Sequence, residues 1–440
     1  MVRLEAEHGH VSSSDVRLYK YFIPLPFLFH SFFLWCVADF HVHFIRERKE
    51  ENKKKDRMPP KIAIIGAGPC GLTLAVLLER ASIPYTIFER DASPEAVTTG
   101  GSLDIHPETG QRALREAGLF EGFQKVARYE DTVISISDKD GERVFSAGQG
   151  RDAPEIDRRE LRALLLGGLP EGRVRWGFGL VGAVRGEDGG VVLKFANGEE
   201  EGGWDLVVGA DGAWSKVRGL VTKVTPRYSG KSFLESRITT TNPLHKTLAA
   251  KLGPGLHIAV GGGQLVITQR QGNGEYRTYL GLQIEESFFK NAIAEDQPDK
   301  LRATMLDFYA DWADFYKDLI RNATNFRAWP LYTLMPEEVG WEAVGDVTLA
   351  GDAAHLAITN GEGVNMAMAD ALALAEKIKE YYAGGDLARA VKEYEADMFP
   401  RGSATVKDGW DMSGPMFSDG PGTFLEFMAS VGAGGSPPPE

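Results

Sequence analysis

Short apolar runs, each closed by a glycine or an acid, recur along the chain from residue 61 onward. Ile62-Ala-Ile-Ile65 runs into Gly66, Tyr85 to Phe88 into Glu89, Leu206-Val-Val208 into Gly209, and Val347 to Ala350 into Gly351. Runs of this kind, apolar without alternation, predict strands buried on both faces of a parallel sheet. Helical spacing lies between them, from Leu72 to Arg80 and again in the alanine-rich stretch that begins near Gly363. Val174-Arg-Trp176 reads as a further strand, and Gly186-Glu-Asp-Gly-Gly190 as a hairpin turn. The pattern changes over about 225–335. Gly255 to Val260, Gln264 to Arg270 and Tyr276 to Ile284 lie between glycine turns and predict antiparallel strands. Leu301 to Leu319 has helical spacing. The tail from Gly402 is rich in glycine and proline, with Phe424-Leu-Glu-Phe-Met428 as a short helix packing back. The fold class that follows is α/β, with an antiparallel sheet inserted and helices at the C-terminal end.

The turns carry the chemistry. Gly66-x-Gly68-x-x-Gly71 stands between a strand and a helix, and Glu89 closes the next strand eighteen residues after Gly71. This is a βαβ dinucleotide fingerprint. Gly66 permits the tight turn, Gly68 the approach of a pyrophosphate, and Gly71 close helix–strand packing, while the helix start offers free N–H groups. Glu89 favours a free ribose 2′-hydroxyl, hence FAD or NAD rather than NADP at this position. A second motif runs from Asp346 through Gly351-Asp352-Ala-Ala-His355 to Gly361-Glu-Gly363-Val364-Asn365. Asp352 at a strand end can bond a polyol chain, and the helix start at Gly363 to Asn365 can stabilise negative charge on a ring, as a reduced flavin requires. Its plain alternative is an αβ loop with a helix cap. A third, Asp205 to Gly209 followed by Ala-Asp211-Gly212-Ala-Trp-Ser215-Lys-Val-Arg218, is a strand, turn and helix start. Ser215 is its plausible cap, and Asp211 is equally a turn cap or a cofactor contact.

Together the three motifs resemble the class A FAD-dependent monooxygenases, the group that includes para-hydroxybenzoate hydroxylase. Within that group the chain is most similar to the tetracycline-inactivating branch and its fungal relatives. Gly100-Gly-Ser-Leu-Asp104-Ile-His106, Glu155-Ile-Asp-Arg158-Arg-Glu-Leu161-Arg162 and Glu393 to Phe399 carry the likeness, which runs from about Lys61 to about Gly402. The resemblance implies a Rossmann-type FAD-binding domain with an inserted antiparallel-sheet substrate domain. It implies a cofactor-binding set of Gly66, Gly68, Gly71, Glu89, Arg90, Gly101, Asp104, Arg158, Asp352, Gly361, Gly363, Val364 and Asn365, with no metal. The implied reaction is hydroxylation of a small organic substrate, aromatic or polyketide-like, by a C4a-hydroperoxyflavin formed from FAD, NADPH or NADH, and O2. Two departures stand out: Thr359 where a proline is common, in a loop one residue shorter than the branch's, and Val97 where the branch has an arginine implicated in nicotinamide contact. Arg90 is the expected substitute. No catalytic side chain follows from the motifs. His355 reads as a loop residue, and Gln283, Arg237 and Phe233 are the candidates facing substrate. A flavin oxidase or reductase on the same fold, or a flavin-binding protein without turnover, are the rival functions.

Composition adds bounds. A net charge of −13 argues against nucleic acid or an anionic membrane as the main partner. Two cysteines make no disulfide framework, and Cys70 inside the glycine loop reads as a small buried residue. The expected segments are an extension at 1–57, the FAD-binding domain at 59–224 and 336–385, the substrate domain at 225–335, and a helical segment and tail at 386–440. Within the extension, the run from Tyr21 to Val37 holds two prolines and is short against the ~20 apolar residues of a membrane span. The expectation is a cytoplasmic protein starting functionally at Met58, with a membrane anchor as the alternative.

Overall fold

The computed structural model describes residues 59–96, 100–294, 297–358, 360–384 and 386–430. The 21–37 run, Val97 and Thr359 lie outside the described residues. The first sheet has five strands in the order Val347–Leu349, Leu206–Gly209, Ile62–Ile65, Thr86–Glu89 and Val174–Trp176. Every pairing in it is parallel. The unbroken apolar runs become strands buried throughout. The helix Pro69–Arg80 buries Cys70 to Leu78 between this sheet and the helix Gly363–Tyr382. A three-stranded antiparallel sheet, built on the predicted Gly186–Gly190 turn, adds Val191, Leu193 and Phe195 to the same core. Phe88 stacks on Phe195 with centroids 4.8 Å apart and meets the edge of Trp204 at 5.8 Å. Strand Ile62–Ile65 lies between Thr86–Glu89, the next strand along the chain, and Leu206–Gly209, a distant one, so the chain reverses its winding direction there. Ligands of doubly wound sheets bind outside the carboxyl ends of the strands at such a point.

The second sheet has seven strands: Thr324–Thr333, Arg227–Ile238, Tyr276–Gln283, Gln264–Arg270, Leu256–Gly261, Ile134–Asp138 and Arg143–Ala147. It is antiparallel except where Ile134–Asp138 runs parallel to Leu256–Gly261. That hairpin comes from inside the 59–224 segment, so the sheet draws on a part of the chain expected to serve the other domain. Its physical reason is burial. Ile136 is fully buried and shares a cluster with Ile258 and Val260 of the inserted segment.

Period-two alternation sorts the faces of this sheet. Leu234, Ile238, Val266, Leu280 and Leu282 face a cluster with Tyr309, Trp312 and Tyr316. Phe233, Ile258, Val260 and Leu265 face the other way, against Met416, Phe417 and Phe424. Phe424 lies on the helix Pro421–Ser430, which packs back as expected. The single helix expected over 301–319 is two, Pro298–Phe308 and Asp314–Asn322. The break lets Tyr309 donate to the carbonyls of Leu265 and Gly281, both at 3.0 Å, and lets Ala313 N–H bond Lys139 O at 2.9 Å. Among the described residues, no helix is long and apolar enough to cross a membrane.

The Phe88 cluster yields a stability prediction. Phe88→Ala empties a fully buried aromatic site and costs about 3–5 kcal/mol. Chemical unfolding followed by tryptophan fluorescence checks this; a loss below about 1 kcal/mol would mean that the two layers do not depend on the ring.

Candidate active site

The strand Ile62–Ile65 ends at Gly66, whose φ of +105° suits glycine. A Cβ there would lie 2.4 Å from Ala210 O, and one at Gly71 would lie 2.0 Å from Gly66 O. Backbone fills both places. A Cβ at Gly68 would meet nothing within 4 Å, so the loop opens outward at that residue. No side chain caps the helix that starts at Pro69, and its first N–H groups remain available to an anion.

Glu89 is buried beside this loop. Its carboxylate accepts hydrogen bonds from Ala67 N–H at 2.6 Å and Asp91 N–H at 2.9 Å. Arg162 supports it, 3.8 Å from Glu89 and 2.8 Å from Asp91. Arg90 is exposed, with its Cβ 3.3 Å from where a Cβ of Gly179 would stand.

Three further segments converge on the same edge. A Cβ on Gly363, the first residue of the helix Gly363–Tyr382, would lie 4.0 Å from Asp352 Oδ1. Gly361 ahead of it has φ +85°. Asn365, fully buried, ties the helix start to the strand Ser102–Asp104: Oδ1 accepts from His106 N–H and Nδ2 donates to Asp104 O, each at 2.9 Å. Val364 is buried beside it. His106 bridges two acids, 2.9 Å from Asp104 and 3.2 Å from Glu362. Burial alone would lower the His106 pKa, but hydrogen bonds and charge from these acids push it up to about 9. Burial would likewise raise Asp104, yet His106 and Arg151 hold its carboxyl below the usual range.

Gly100, at φ +111°, is shaped by Arg158: a Cβ there would sit 2.4 Å from Arg158 Cδ. Gly101 inserts toward the second sheet, where a Cβ would meet Tyr279 Oη at 3.0 Å. The guanidinium of Arg158 makes no hydrogen bond among the described residues. Burial lowers its pKa, opposed by the charge of Asp352. An outward-opening glycine loop, two helix starts without side-chain caps and an unbonded arginine are a donor set that fits an anionic dinucleotide.

Other motif residues turn out to support this edge. Asp211 Oδ2 accepts from Lys216 N–H at 2.7 Å, capping its own turn, and Ser215 Oγ accepts from Arg218 N–H at 3.0 Å. Arg218, buried, donates to the carbonyls of Ala353 and Asp352, both at 2.9 Å. His355 is buried against Asp370, 2.6 Å away, which agrees with a loop-holding role. Burial pushes the Cys70 thiol well up, with Asp370 and Asp352 adding to the effect. The described part of the shortened loop is fastened: Leu356 O accepts from Leu334 N–H at 2.9 Å and Thr333 Oγ1 at 3.1 Å, and Asn360 bonds Thr405 O at 3.4 Å.

Of the three substrate-facing candidates, Phe233 is buried in the apolar cluster, 5.9 Å from Tyr279 and 6.3 Å from Phe417. Arg237 lines a cleft beside Arg158. Gln283, exposed at the end of an interior strand, makes weak bonds to the Gly263 and Phe417 carbonyls. The sequence reading missed Glu235. This buried carboxylate accepts from Arg277 at 2.8 Å and Trp329 Nε1 at 2.7 Å, on the same face as Tyr279. A charged residue in an alternating strand was its only sequence signal.

Comparison with known proteins accords with this geometry. The family described as "FAD binding domain" matches residues 60–246 and 322–408. The gap between the two stretches lies inside the second sheet and its covering helices. Monooxygenase penA of Penicillium thymicola is 31% identical over 407 residues, covering 80% of this chain and 94% of that protein. Among solved structures, HpxO of Klebsiella pneumoniae complexed with FAD and uric acid superposes with TM-score 0.68 at 22% identity, covering 84% of this chain and 91% of that one. Tetracycline destructase Tet(51) gives TM-score 0.62 at 18% identity, with 85% and 96% covered. The two structural likenesses show a shared fold. The family match spans more than half of the sequence, and the chain belongs to the FAD binding domain family.

Proposed function

We propose that this protein is an FAD-dependent monooxygenase that uses NADPH or NADH and O2 to oxygenate a small organic substrate. The observation that carries the reading is the convergence of the Gly66–Gly71 loop, the Asp352–Gly363 edge and the unbonded Arg158 in a chain of this family. FAD, when bound, supplies hydride acceptance and O2 activation. The protein's own residues do the positioning. In this reading Gly66, Gly68 and Gly71 receive the pyrophosphate and Glu89 the adenosine ribose. Arg158 and Asp352 hold the chain leading to the ring, Gly100 leaves the space that Arg158 occupies, and Gly101 lets the loop approach Tyr279 of the second sheet. Gly361 lets the loop turn. The N–H groups of Gly363, Val364 and Asn365 face the ring edge where negative charge develops. Asp104 and Asn365 set the position of that helix start through the bonds described above.

The inner face of the second sheet supports a planar, partly polar substrate. Phe233, Tyr279 and Trp329 supply aromatic surface, and the Glu235–Arg277 pair supplies polarity within it. Such a face suits an aromatic or polyketide-like molecule.

Three measurements test this reading. Purified full-length protein is expected to be yellow and to bleach when NADPH or NADH is added without oxygen. It is then expected to incorporate one atom of labelled O2 into a member of a phenolic and polyketide panel. Hydrogen peroxide as the sole product across that panel would favour an oxidase. Arg158→Ala should weaken FAD binding on the order of 10- to 100-fold, the range of a lost charged hydrogen bond, with Arg158→Lys recovering part. Equal FAD affinity in Arg158→Ala would remove Arg158 from the site. The His106 bridge predicts a pH signature. Its folded-state pKa is raised, from 6.5 to about 9. Its stabilisation is therefore complete below about pH 6.5 and lost as the pH rises through about 9. The melting-temperature gap between wild type and His106→Gln should shrink over that window; a pH-independent gap would mean that the ion pairs contribute nothing.

A further inference from the structure

A pair of opposite charges is buried on the face of the second sheet that meets the proposed flavin edge. Glu235 is 3% and Arg277 6% exposed, and Arg277 donates to Glu235 Oε1 at 2.8 Å. Trp329 Nε1 donates to the other carboxylate oxygen at 2.7 Å. We propose that the Glu235–Arg277–Trp329 group makes this site selective for an uncharged aromatic substrate, one bearing an amide, lactam or phenol rather than a carboxylate, with Glu235 as the positioning residue. The proposal rests on the monooxygenase reading above and names the substrate class of that site.

Strand register sets the face. Glu235 stands opposite Tyr279, Arg277 opposite Arg237 and Trp329 opposite Phe233, so these side chains project to one side. That side reaches the Gly100–Gly101 loop. A Cβ on Gly101 would lie 3.0 Å from Tyr279 Oη and 3.7 Å from Arg277 Cδ. Arg277 also lines the cleft of about 240 Å³ that Gly100 and Arg158 border. Glu235 is not among the lining residues and acts through the two groups it holds.

A buried ion pair is a poor device for stability, since apolar residues of similar volume often do as well or better. Here it interrupts a face that is otherwise apolar, where Phe233, Ile258, Val260 and Leu265 pack against Met416 and Phe417. Its effect is on charge. An arginine alone on this face would draw a carboxylate into a forked pair. Glu235 already accepts from Arg277, and an incoming carboxylate would lie beside a like charge in a low dielectric. The surroundings are balanced in the same way. Glu95, Asp157 and Glu275 line the cleft with Arg158, Arg159 and Arg237, and Arg237 Nε is 4.0 Å from the Glu235 carboxylate. Arg327 is exposed and stacks on Trp329, 4.2 Å from the ring. Lys231, two positions beyond Phe233, lies 5.7 Å over the Phe417 ring, and burial lowers its pKa, which disfavours its charge. A neutral amide, lactam or phenol meets no unmatched charge here. It can exchange hydrogen bonds with Tyr279 Oη, which is both donor and acceptor, against the flat ring of Trp329.

The test is calorimetric titration of the full-length protein with two probes of matched shape, 1-hydroxy-2-naphthamide and 1-hydroxy-2-naphthoate. The visible spectrum reads FAD content separately, and a thermal melt reads folding. Wild type is expected to bind the amide more tightly than the carboxylate on the order of tenfold. Glu235→Gln keeps an acceptor for Trp329 but leaves the charge of Arg277 unmatched. It should shift the preference toward the carboxylate on the order of tenfold, with FAD content unchanged. A purely structural role for Glu235 would weaken both probes equally. The double variant Glu235→Gln/Arg277→Gln removes both charges and should restore the amide preference; it decides the question if the single variant does not melt cooperatively. Unaltered selectivity in Glu235→Gln, or a double variant without the amide preference, would overturn the proposal. So would a wild type that favours the naphthoate or binds neither probe at millimolar concentration. A colourless wild type that shows the switch would instead sink the FAD reading and leave the selectivity standing.

Discussion

The carboxylate of Asp370 holds together the edge proposed to bind the flavin. It is fully buried, where an ionised group is costly unless every oxygen is satisfied. Oδ2 accepts from Gly351 N–H at 2.9 Å and lies 2.6 Å from His355, and Oδ1 accepts from Arg401 at 2.9 Å. One side chain thus joins the end of a core strand, the short turn Asp352–His355, the helix Gly363–Tyr382 on which it sits, and the C-terminal helix Leu387–Met416. Burial would raise its pKa, but His355 and then Arg401 outweigh that and keep it ionised. His355, which a motif search would nominate as a base, is consumed in this arrangement.

Around that anchor, the proposed site is assembled by side chains that touch backbone. Asn365 joins residues 104 and 106 to the helix start more than 250 positions away, Arg218 fastens Asp352 and Ala353, and Glu89 fastens Ala67. Asn365 and Arg218 spend their hydrogen bonds on the protein itself, and Glu89 keeps acceptor lone pairs beyond the two it gives to Ala67 and Asp91. What stays open is backbone N–H at the helix starts and the guanidinium of Arg158. A surface of fixed donors with little left to rearrange suits a cofactor that is held while its substrates exchange. The second sheet contributes the opposite wall, where apolar rings at one end give way to Glu235, Arg277 and Arg237 at the other.

Unbroken apolar runs ending in glycine or acid were legible as a parallel sheet, because a strand buried on both faces leaves no room for alternation. Gly66 and Gly71 were legible because only backbone fits where their side chains would stand, and Gly68 because its place in the motif marks where the loop opens outward. The hairpin 134–147 joins the second sheet although it lies within the 59–224 segment, because alternation says that one face is buried but not against which sheet. The helix over 301–319 was drawn too long because its periodicity continues across Tyr309 to Ala313, where tertiary hydrogen bonds end the first helix.

The sequence by itself determined the βαβ turn, the acid that closes it and the family, since these depend on local backbone geometry and residue order. Tertiary structure alone decided which charged groups are consumed and which are left open. Asp370, Arg218 and His355 are buried and bonded, while Arg158 and Arg159 face open space. That division depends on partners far away in sequence, and no local pattern encodes it. The same holds for the cleft lined by residues 100, 158–159, 237 and 277, whose walls meet because the Gly100–Gly101 loop lies against Arg158 and against Tyr279 and Arg277 of the second sheet.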